Sequence, residues 1–479
     1  MINRQNFRLA GIIVLVILTG LFVFGSLCQA QSGATAGQPG EMRIYPYAFP
    51  LKPGPGNRYL VDQSNHPFFW SGDAAWSLVA QLSLKDAGLY LDNRSNKGFT
   101  VVMVNLIEHK FCTNPPANIN GDLPFSSGPF TSPNEKYFAH ADSVIESAVR
   151  HNIIVLLAPL YLGYDCKDEG WCEEVKEASS GDLLLWGRYL GNRYKKFSNI
   201  IWLIGGDTSP LTVKDKVLEM VKGIRENDTL HLFSAHNQPE SMAITPWTDE
   251  QWLSLNNVYS YDSVLYKRCM TAYGHLPVMP YFQIESAYEN EHNSTPQQLR
   301  SQAYWAILSG AMGHVFGNCP VWHFGAAEKW CNTTDWKKEM NNSGSVSMDY
   351  LQRLFRSRSW QKLIPDFENN LITSGYGIRG TKDHVTGALT SDGNTIIAYL
   401  PSPRRVTVNM TAIQGVKAKC WWYKPSDGKA IEIGTYTTSG VLSFTPESAG
   451  DWILVIDNAS AKLPAPGSEA LINAVKSKK

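Results

Sequence analysis

Charge of one sign and metal-binding motifs are both missing from this sequence. The 43 Lys and Arg residues balance the 43 Asp and Glu residues, so there is no net charge to attract a nucleic acid. Cysteine and histidine do not occur at the spacings of structural zinc sites, and the acidic segment 165–174 does not match the EF-hand calcium loop. We therefore expect no metal, no cofactor and no nucleic-acid partner.

Long hydrophobic runs are also scarce, and the one that could cross a bilayer lies at the N-terminus. Two arginines precede the apolar run 9–27, and residues 28–30 resemble a signal-peptidase site. This pattern predicts a signal peptide over residues 1–30 and an exported protein that is periplasmic, extracellular or on the cell surface. The run is also just long enough to remain as a membrane anchor. Cys28 leaves a lipid anchor open, although Leu27 stands where lipoprotein signals normally have a small residue.

The chain has eight cysteines, of which seven remain if cleavage follows residue 30. Disulfides are permitted in an exported protein. The close pairs predict the disulfides Cys166–Cys172 and Cys319–Cys331, and an odd total leaves at least one free thiol.

After a linker over residues 31–44, apolar strand-like segments alternate with helix-like segments. Eight such units, with strands that are apolar almost throughout, are typical of parallel strands buried on both faces. They predict an α/β fold, a (β/α)₈ TIM barrel over residues 45–364. The predicted strands are 68–76, 100–108, 153–163, 200–210, 230–238, 257–263, 277–286 and 313–322.

The pattern changes near residue 365. Short alternating strands separated by turn dipeptides such as Asp392-Gly393 predict a small C-terminal β-sandwich over residues 365–459. We expect this domain to support the barrel, and we expect a flexible tail over residues 460–479. The oligomeric state is not predicted.

Two carboxylates stand where barrel strands end. Asp207 follows "IIWLIGG", and Glu285 ends "PVMPYFQIE". The C-terminal ends of barrel strands form the active-site face, so both side chains can reach a central substrate. Glycoside hydrolysis needs such a pair: one carboxyl group protonates the leaving oxygen, while the other attacks the sugar or activates water. Asp207 and Glu285 are therefore the predicted catalytic residues.

A structural role is the alternative for Asp207, and a binding role is the alternative for the whole chain. Gly205-Gly206 is compatible with an ordinary tight turn in which Asp207 caps the next helix. Glu108, Asp262 and Glu289 are reserve carboxylates. The protein as a whole could bind a glycan or collagen without cleaving it, although such a protein has no need for a paired acid and nucleophile.

The remaining polar and aromatic residues at the predicted barrel mouth are candidates for substrate binding, each with a structural role as its alternative. Among them, His109 and His236 could also orient Glu285, and the Tyr261 hydroxyl could hold it. The predicted substrate-binding residues are Asp73, Trp76, His109, Tyr161, His236, Tyr261 and Trp322.

Several spaced segments resemble the apiosidase-like glycoside hydrolases: "HPFFWSGDAAWSLVAQLS", "GFTVVMVNLI", "NIIWLIGGDTSP", "PVMPYFQIESAYEN" and "SQAYWAILSGAMGHVFGN". The resemblance covers about residues 45–458. It implies a catalytic barrel followed by a β-domain of the type labelled collagen-binding. It also implies a retaining enzyme that removes β-linked apiose from a complex pectin side chain (rhamnogalacturonan II), with Asp207 as acid/base and Glu285 as nucleophile. The substrate partner would then be a polysaccharide or oligosaccharide, and a related glycosidase with another furanoside or pyranoside substrate is the alternative.

Overall fold

The computed structural model describes residues 46–261, 264–326, 331 and 333–468. The predicted signal peptide, the linker and the last eleven residues of the predicted tail lie outside the described residues. Within the described part of the chain, no helix is both long enough and apolar enough to cross a membrane.

Eight parallel strands form the predicted barrel. The ladder runs in the order β5-β4-β3-β2-β1-β8-β7-β6, so β1 pairs with β8, and β5 and β6 are the only strands of the eight that are consecutive in the chain but not paired in the ladder. A short strand, Ser241–Met242, pairs antiparallel with β6 at the end of this sheet. The strands are β1 (Trp70–Ala74), β2 (Val101–Asn105), β3 (Ile154–Ala158), β4 (Ile200–Gly205), β5 (Phe233–His236), β6 (Asn256–Tyr259), β7 (Tyr281–Glu285) and β8 (Gly313–Phe316).

Side chains close the barrel between β5 and β6. Asn257 Nδ2 on β6 donates hydrogen bonds to Ser234 Oγ (3.0 Å) and to the Ala235 carbonyl (2.7 Å) on β5. The Leu255 amide donates to the Phe233 carbonyl at 3.0 Å. This seam brings His236, at the end of β5, towards the ends of β6 and β7.

The strands are apolar throughout because both of their faces are buried. In β4, Leu203 packs in the cluster that contains Met103 and Phe282 of other strands, whereas Trp202 packs in the cluster formed with the surrounding helices. Alternating residues thus fill the interior of the barrel and its outer layer. The sequence "IIWLI" satisfies both environments.

Among the described residues, seven main helices surround the barrel. The helix-like segments 84–99, 133–152, 181–199, 213–228, 295–311 and 347–360 predict six of them, whereas the sequence does not predict α5, which lies between β6 and β7. The helices are α1 (Leu84–Asn96), α2 (Glu135–Arg150), α3 (Ser180–Tyr194), α4 (Lys214–Asn227), α5 (Leu265–Gly274), α6 (Pro296–Leu308) and α7 (Ser343–Arg356). Short helices at Leu78–Gln81, Cys172–Glu177 and Trp336–Glu339, and a small antiparallel sheet of Lys52–Pro53, Leu60–Val61 and Pro67–Phe68, complete this part of the chain.

The C-terminal part is the predicted β-sandwich. A six-stranded sheet has the order β9-β11-β12-β17-β14-β15 and faces a three-stranded sheet β10-β13-β16 across a shared core. The strands are β9 (Leu363–Pro365), β10 (Ile372–Ser374), β11 (Thr386–Thr390), β12 (Thr395–Leu400), β13 (Val406–Asn409), β14 (Lys417–Lys424), β15 (Lys429–Thr437), β16 (Val441–Phe444) and β17 (Trp452–Asn458).

The outer face of the six-stranded sheet packs on α6 and α7 of the barrel. Tyr399 of β12 stacks on Tyr304 of α6, with ring centroids 5.1 Å apart. Arg300 of α6 makes a bidentate ion pair with Asp451 at 2.8 Å. Both charged groups are buried, so barrel and sandwich share one continuous core.

The first residues of the predicted tail make hydrogen bonds with the residues that follow α7. Arg358, just after α7, donates to the Pro464 carbonyl at 3.0 Å, and the Gly467 amide donates to Ser357 Oγ at 3.0 Å. These hydrogen bonds come from residues that are distant in sequence, so the polar composition of the segment does not indicate them.

Candidate active site

Strand β4 ends in a turn that needs both of its glycines. Gly205 and Gly206 have positive φ angles of 98° and 150°. A Cβ atom on Gly205 would lie 2.4 Å from the His236 carbonyl oxygen, and one on Gly206 would lie 2.7 Å from the Leu162 amide nitrogen. The backbone therefore passes between β3 and β5 at a distance that only glycine permits, and it delivers Asp207 to the mouth of the barrel.

Asp207 bonds to two tyrosines, one at the end of β6 and one in the loop after β3. Its Oδ1 accepts a hydrogen bond from the Tyr259 hydroxyl (2.8 Å) and its Oδ2 accepts one from the Tyr161 hydroxyl (3.2 Å). The carboxyl group thus points into the barrel mouth and does not act as a helix cap. Burial, and next the negative charge of Glu285, raise the pKa of Asp207 to about 6.

Glu285 ends β7 and is 7% exposed. Its Oε2 lies 2.9 Å from His236 Nε2, and its Oε1 accepts a hydrogen bond from the Tyr261 hydroxyl at 3.1 Å. Two groups on separate strand ends therefore fix the orientation of the carboxylate.

His236 connects the two carboxylates. Its Nδ1 accepts a hydrogen bond from the Asp207 backbone amide at 3.0 Å, so this nitrogen carries no proton. The proton of a neutral ring is then on Nε2, which donates to Glu285. The same imidazole thus positions the backbone of one carboxylate residue and the side chain of the other.

Aromatic rings surround this pair. The Trp76 ring lies edge-on to His236, with centroids 5.4 Å apart, and 5.5 Å from the ring of Tyr161. Trp322 packs on Phe111 at 4.9 Å, and its Nε1 donates to Glu291 Oε1 at 2.9 Å. A buried acid and an oriented carboxylate within an aromatic enclosure can carry out acid-assisted substitution at a sugar carbon.

Comparison with known proteins assigns the chain to a family. Residues 55–362 match the family model described as "Apiosidase-like, catalytic domain". The chain belongs to the apiosidase-like family. Residues 364–457 of this apiosidase-like protein match a second model, "Putative collagen-binding domain of a collagenase". No functionally curated protein matches the chain in sequence.

Two solved structures share the fold of the apiosidase-like chain. One, described as "Glycoside hydrolase", has a TM-score of 0.78 and 22% sequence identity, and the match covers 87% of this chain and 99% of the other. A glycoside hydrolase family 5 protein from Bacteroides vulgatus ATCC 8482 has a TM-score of 0.77 and 23% identity, with coverage of 88% and 95%. They confirm the predicted barrel fold, and the family model supports a hydrolase that acts on glycosides.

Two residues of the apiosidase-like site are not among the candidates from the sequence. In the sequence, Tyr259 resembles an ordinary aromatic residue of a strand. Its position at the end of β6 is the one indication that its side chain faces the barrel mouth. Glu291 lies six residues beyond Glu285 in a loop with left-handed residues at Asn290 and His292. Burial, together with the charge of Glu285, raises the pKa of Glu291 to about 7, although the Trp322 hydrogen bond opposes this shift.

Two of the seven predicted substrate-binding residues lie away from the catalytic pair. Asp73 is fully buried, and its Oδ2 accepts hydrogen bonds from Arg94 Nε (2.6 Å) and from Tyr90. His109 pairs with Glu174 at 3.0 Å and packs on Trp171. We therefore assign Asp73 to the barrel wall and His109 to a surface loop. Trp76, Tyr161, His236 and Tyr261 lie around the pair, and Trp322 joins them through Glu291.

Two of the reserve carboxylates, Glu108 and Glu289, accept hydrogen bonds from backbone amides. Glu108 accepts hydrogen bonds from the amides of His109 (3.0 Å) and Phe111 (3.2 Å), and so fixes the loop after β2. Glu289 accepts the amide of Gly344 (2.7 Å) in the first turn of α7. Asp262 lies outside the described residues.

Both predicted disulfides, Cys166–Cys172 and Cys319–Cys331, are present. Among the described residues, Cys112, Cys269 and Cys420 are free and buried. Cys319, Cys331 and His323 form the one described group whose donor atoms cluster as metal ligands would. The disulfide occupies both sulfur atoms of this group, so neither is a thiolate available to a metal.

Proposed function

We propose that this apiosidase-like protein is an exported, retaining glycoside hydrolase that releases β-linked apiose from a pectin side chain. The observation that carries the proposal is the contrast between the two carboxyl groups. Asp207 is buried with a raised pKa, as a proton donor requires, whereas Glu285 is oriented by donors on both of its oxygens. The family membership supports apiose as the sugar.

The reaction then has two steps. Glu285 attacks the anomeric carbon of the sugar, and Asp207 donates its proton to the departing glycosidic oxygen. Asp207, now ionised, takes a proton from water, which displaces Glu285 from the glycosyl-enzyme. Tyr161 and Tyr259 keep the Asp207 carboxyl group in position through both steps, and His236 and Tyr261 do so for Glu285.

Rescue with azide distinguishes the acid/base from the nucleophile. With 4-nitrophenyl β-D-apiofuranoside as substrate, Asp207→Ala and Glu285→Ala should each lose activity, by about 10²-fold or more. Azide can enter the space left by either carboxylate. It should give an apiosyl azide of retained configuration with Asp207→Ala and of inverted configuration with Glu285→Ala, as read by NMR.

Circular dichroism spectra of both variants should match that of the native enzyme. If Glu285→Ala hydrolyses the apioside at the native rate, Glu285 is not the nucleophile. If the native enzyme cleaves no apioside but cleaves another aryl furanoside or pyranoside, apiose is the wrong sugar and the two catalytic roles can be tested on that substrate.

A further inference from the structure

A cleft of about 630 Å³ lies between the barrel and the β-sandwich, next to the catalytic pair. Tyr261 belongs to both sites: its hydroxyl bonds to Glu285, and the residue lines the cleft. Ser286, directly after Glu285, is also in the wall. The Tyr261 hydroxyl also lies 3.2 Å from the Tyr259 hydroxyl, which bonds to Asp207, so the cleft opens beside both catalytic carboxylates, including the acid on the leaving-group side.

Both domains contribute to the wall of this cleft. The barrel supplies the start of α6 and the loop before it, including Gln298 and Gln302, and the sandwich supplies residues 382–383 and 401–402. Gln297 Nε2 donates to the Pro401 carbonyl and so fixes the two walls to each other. The packing of the sandwich on α6 holds the cleft open.

The polar side chains of the cleft wall can form hydrogen bonds with hydroxyl groups. Both ends of the Gln302 side-chain amide already have partners. Its Oε1 accepts a hydrogen bond from Ser286 Oγ (2.9 Å), and its Nε2 donates to the Ala287 carbonyl (2.8 Å). In contrast, the side-chain amide of Gln298 makes no hydrogen bond to any other described residue. Amides donate and accept, as sugar hydroxyls do.

Tyr261 and Trp305 add an aromatic surface and a hydrogen-bond donor to this wall. Tyr261 is 45% exposed, so part of this residue is open to the cleft. The indole Nε1 of Trp305, also in the wall, is buried without a hydrogen-bond partner among the described residues. Aromatic faces together with a few polar groups are typical of carbohydrate sites.

The charged groups of the cleft are few. Lys382 is followed directly by Asp383, and Asp383 is already paired with Arg404 and accepts a hydrogen bond from Ser402 Oγ at 2.9 Å. The wall therefore suits a polyhydroxylated ligand, including one with a few acidic groups.

We infer that this cleft binds the sugar residues of the glycan that remain after cleavage, and that the β-sandwich is part of the substrate site. The inference rests on the proposed function: an enzyme that releases a terminal sugar leaves every other residue of the chain on the leaving-group side. The sandwich then does more than support the barrel, because it helps to select a branched or polymeric substrate over a small glycoside.

The experiment fills the cleft from the sandwich side with Ser402→Trp and uses Ser439→Trp, on an exposed turn of the same domain, as the matched control. We compare kcat/KM on rhamnogalacturonan II oligosaccharides with kcat/KM on 4-nitrophenyl β-D-apiofuranoside. Ser402→Trp should lower the ratio of the two values about tenfold, mainly through KM on the oligosaccharide, since the indole ring occupies space that the glycan needs. Ser439→Trp should leave the ratio unchanged. A Gln298→Ala variant, which removes one amide without adding bulk, should lower the ratio about threefold.

A binding measurement keeps this inference separate from the proposed function. Calorimetry on the Glu285→Gln protein should show oligosaccharide binding that weakens about tenfold when Ser402→Trp is added. Equal affinity with and without Ser402→Trp, or no binding to either protein, overturns the cleft as a glycan site. Failure to cleave the apioside, with oligosaccharide binding that still depends on Ser402, overturns the apiose assignment and supports the cleft.

Discussion

At the scale of single residues, the surroundings of Asp207 set the pKa of its carboxyl group. Its proton is held by burial and by the nearby negative charge of Glu285, while the Tyr259 and Tyr161 hydroxyls pull its pKa in the opposite direction. The raised pKa of about 6 means that the folded protein binds this proton more tightly than the unfolded chain. The free energy from this site is therefore fully present below the unfolded pKa and is lost as the pH rises through about 6.

The pH profile of catalysis should report this proton. Because Asp207 must be protonated to act as an acid, kcat/KM on a pectic oligosaccharide should fall as the pH rises above about 6. Tyr259→Phe removes a hydrogen bond that lowers the pKa of Asp207, so the alkaline limb should move to higher pH. Tyr436→Phe, in the sandwich, serves as the control. A limb that stays in place in Tyr259→Phe would show that another group carries the proton.

At the scale of secondary-structure elements, the barrel is closed by a seam that combines backbone and side-chain hydrogen bonds. Asn257 is buried and donates to both Ser234 and the Ala235 carbonyl across the junction of β5 and β6. The seam lies directly below His236 and Tyr259, which hold the two catalytic carboxylates. Its integrity therefore bears on both stability and activity.

Asn257→Leu should test the seam. The substitution keeps a similar volume but leaves the Ala235 carbonyl without its partner and removes the donor to Ser234 Oγ, which costs about 1–3 kcal/mol. We expect a lower free energy of unfolding in urea, together with a fall in kcat. Asn192→Leu, on the exposed side of α3, is the matched control and should change little. Unchanged stability in Asn257→Leu would mean that the backbone alone holds the seam.

The strands and both carboxylates can be predicted from the sequence, because buried parallel strands are apolar throughout and a charge at their end stands out. Helix α5 is not predicted although Leu265, Cys269 and Ala272 recur at helical spacing; the segment is short and has no capping signal at its start. Glu291 is beyond prediction, since its position depends on a loop with left-handed turns. The shared cleft depends on the packing of two domains, which no local pattern records.

At the scale of the whole molecule, the barrel and the sandwich are joined by buried ion pairs and stacked aromatics. Arg300–Asp451 and Arg358–Asp457 are both bidentate, with distances between 2.7 and 2.9 Å. Each pair joins a barrel residue to the six-stranded sheet. The two domains should therefore unfold together.

Arg300→Met should destabilise the whole chain. It leaves the Asp451 carboxylate buried without its partner, at a cost of about 3–5 kcal/mol. Arg188→Met removes one partner of an exposed pair with Glu226 and should cost less than about 1 kcal/mol. Urea unfolding followed by both tryptophan fluorescence and circular dichroism checks this, and the native protein should show coincident transitions. Separate transitions for the two probes would contradict a common core.

The imidazole of His236 acts as a rigid spacer between the two halves of the catalytic machinery. An aromatic ring has a fixed distance between its two nitrogens, so the gap from the Asp207 backbone to the Glu285 carboxylate is set by one covalent unit and two short hydrogen bonds. The gap between acid and nucleophile decides whether a glycosidase retains or inverts configuration. The stereochemistry of the product would then depend in part on this imidazole.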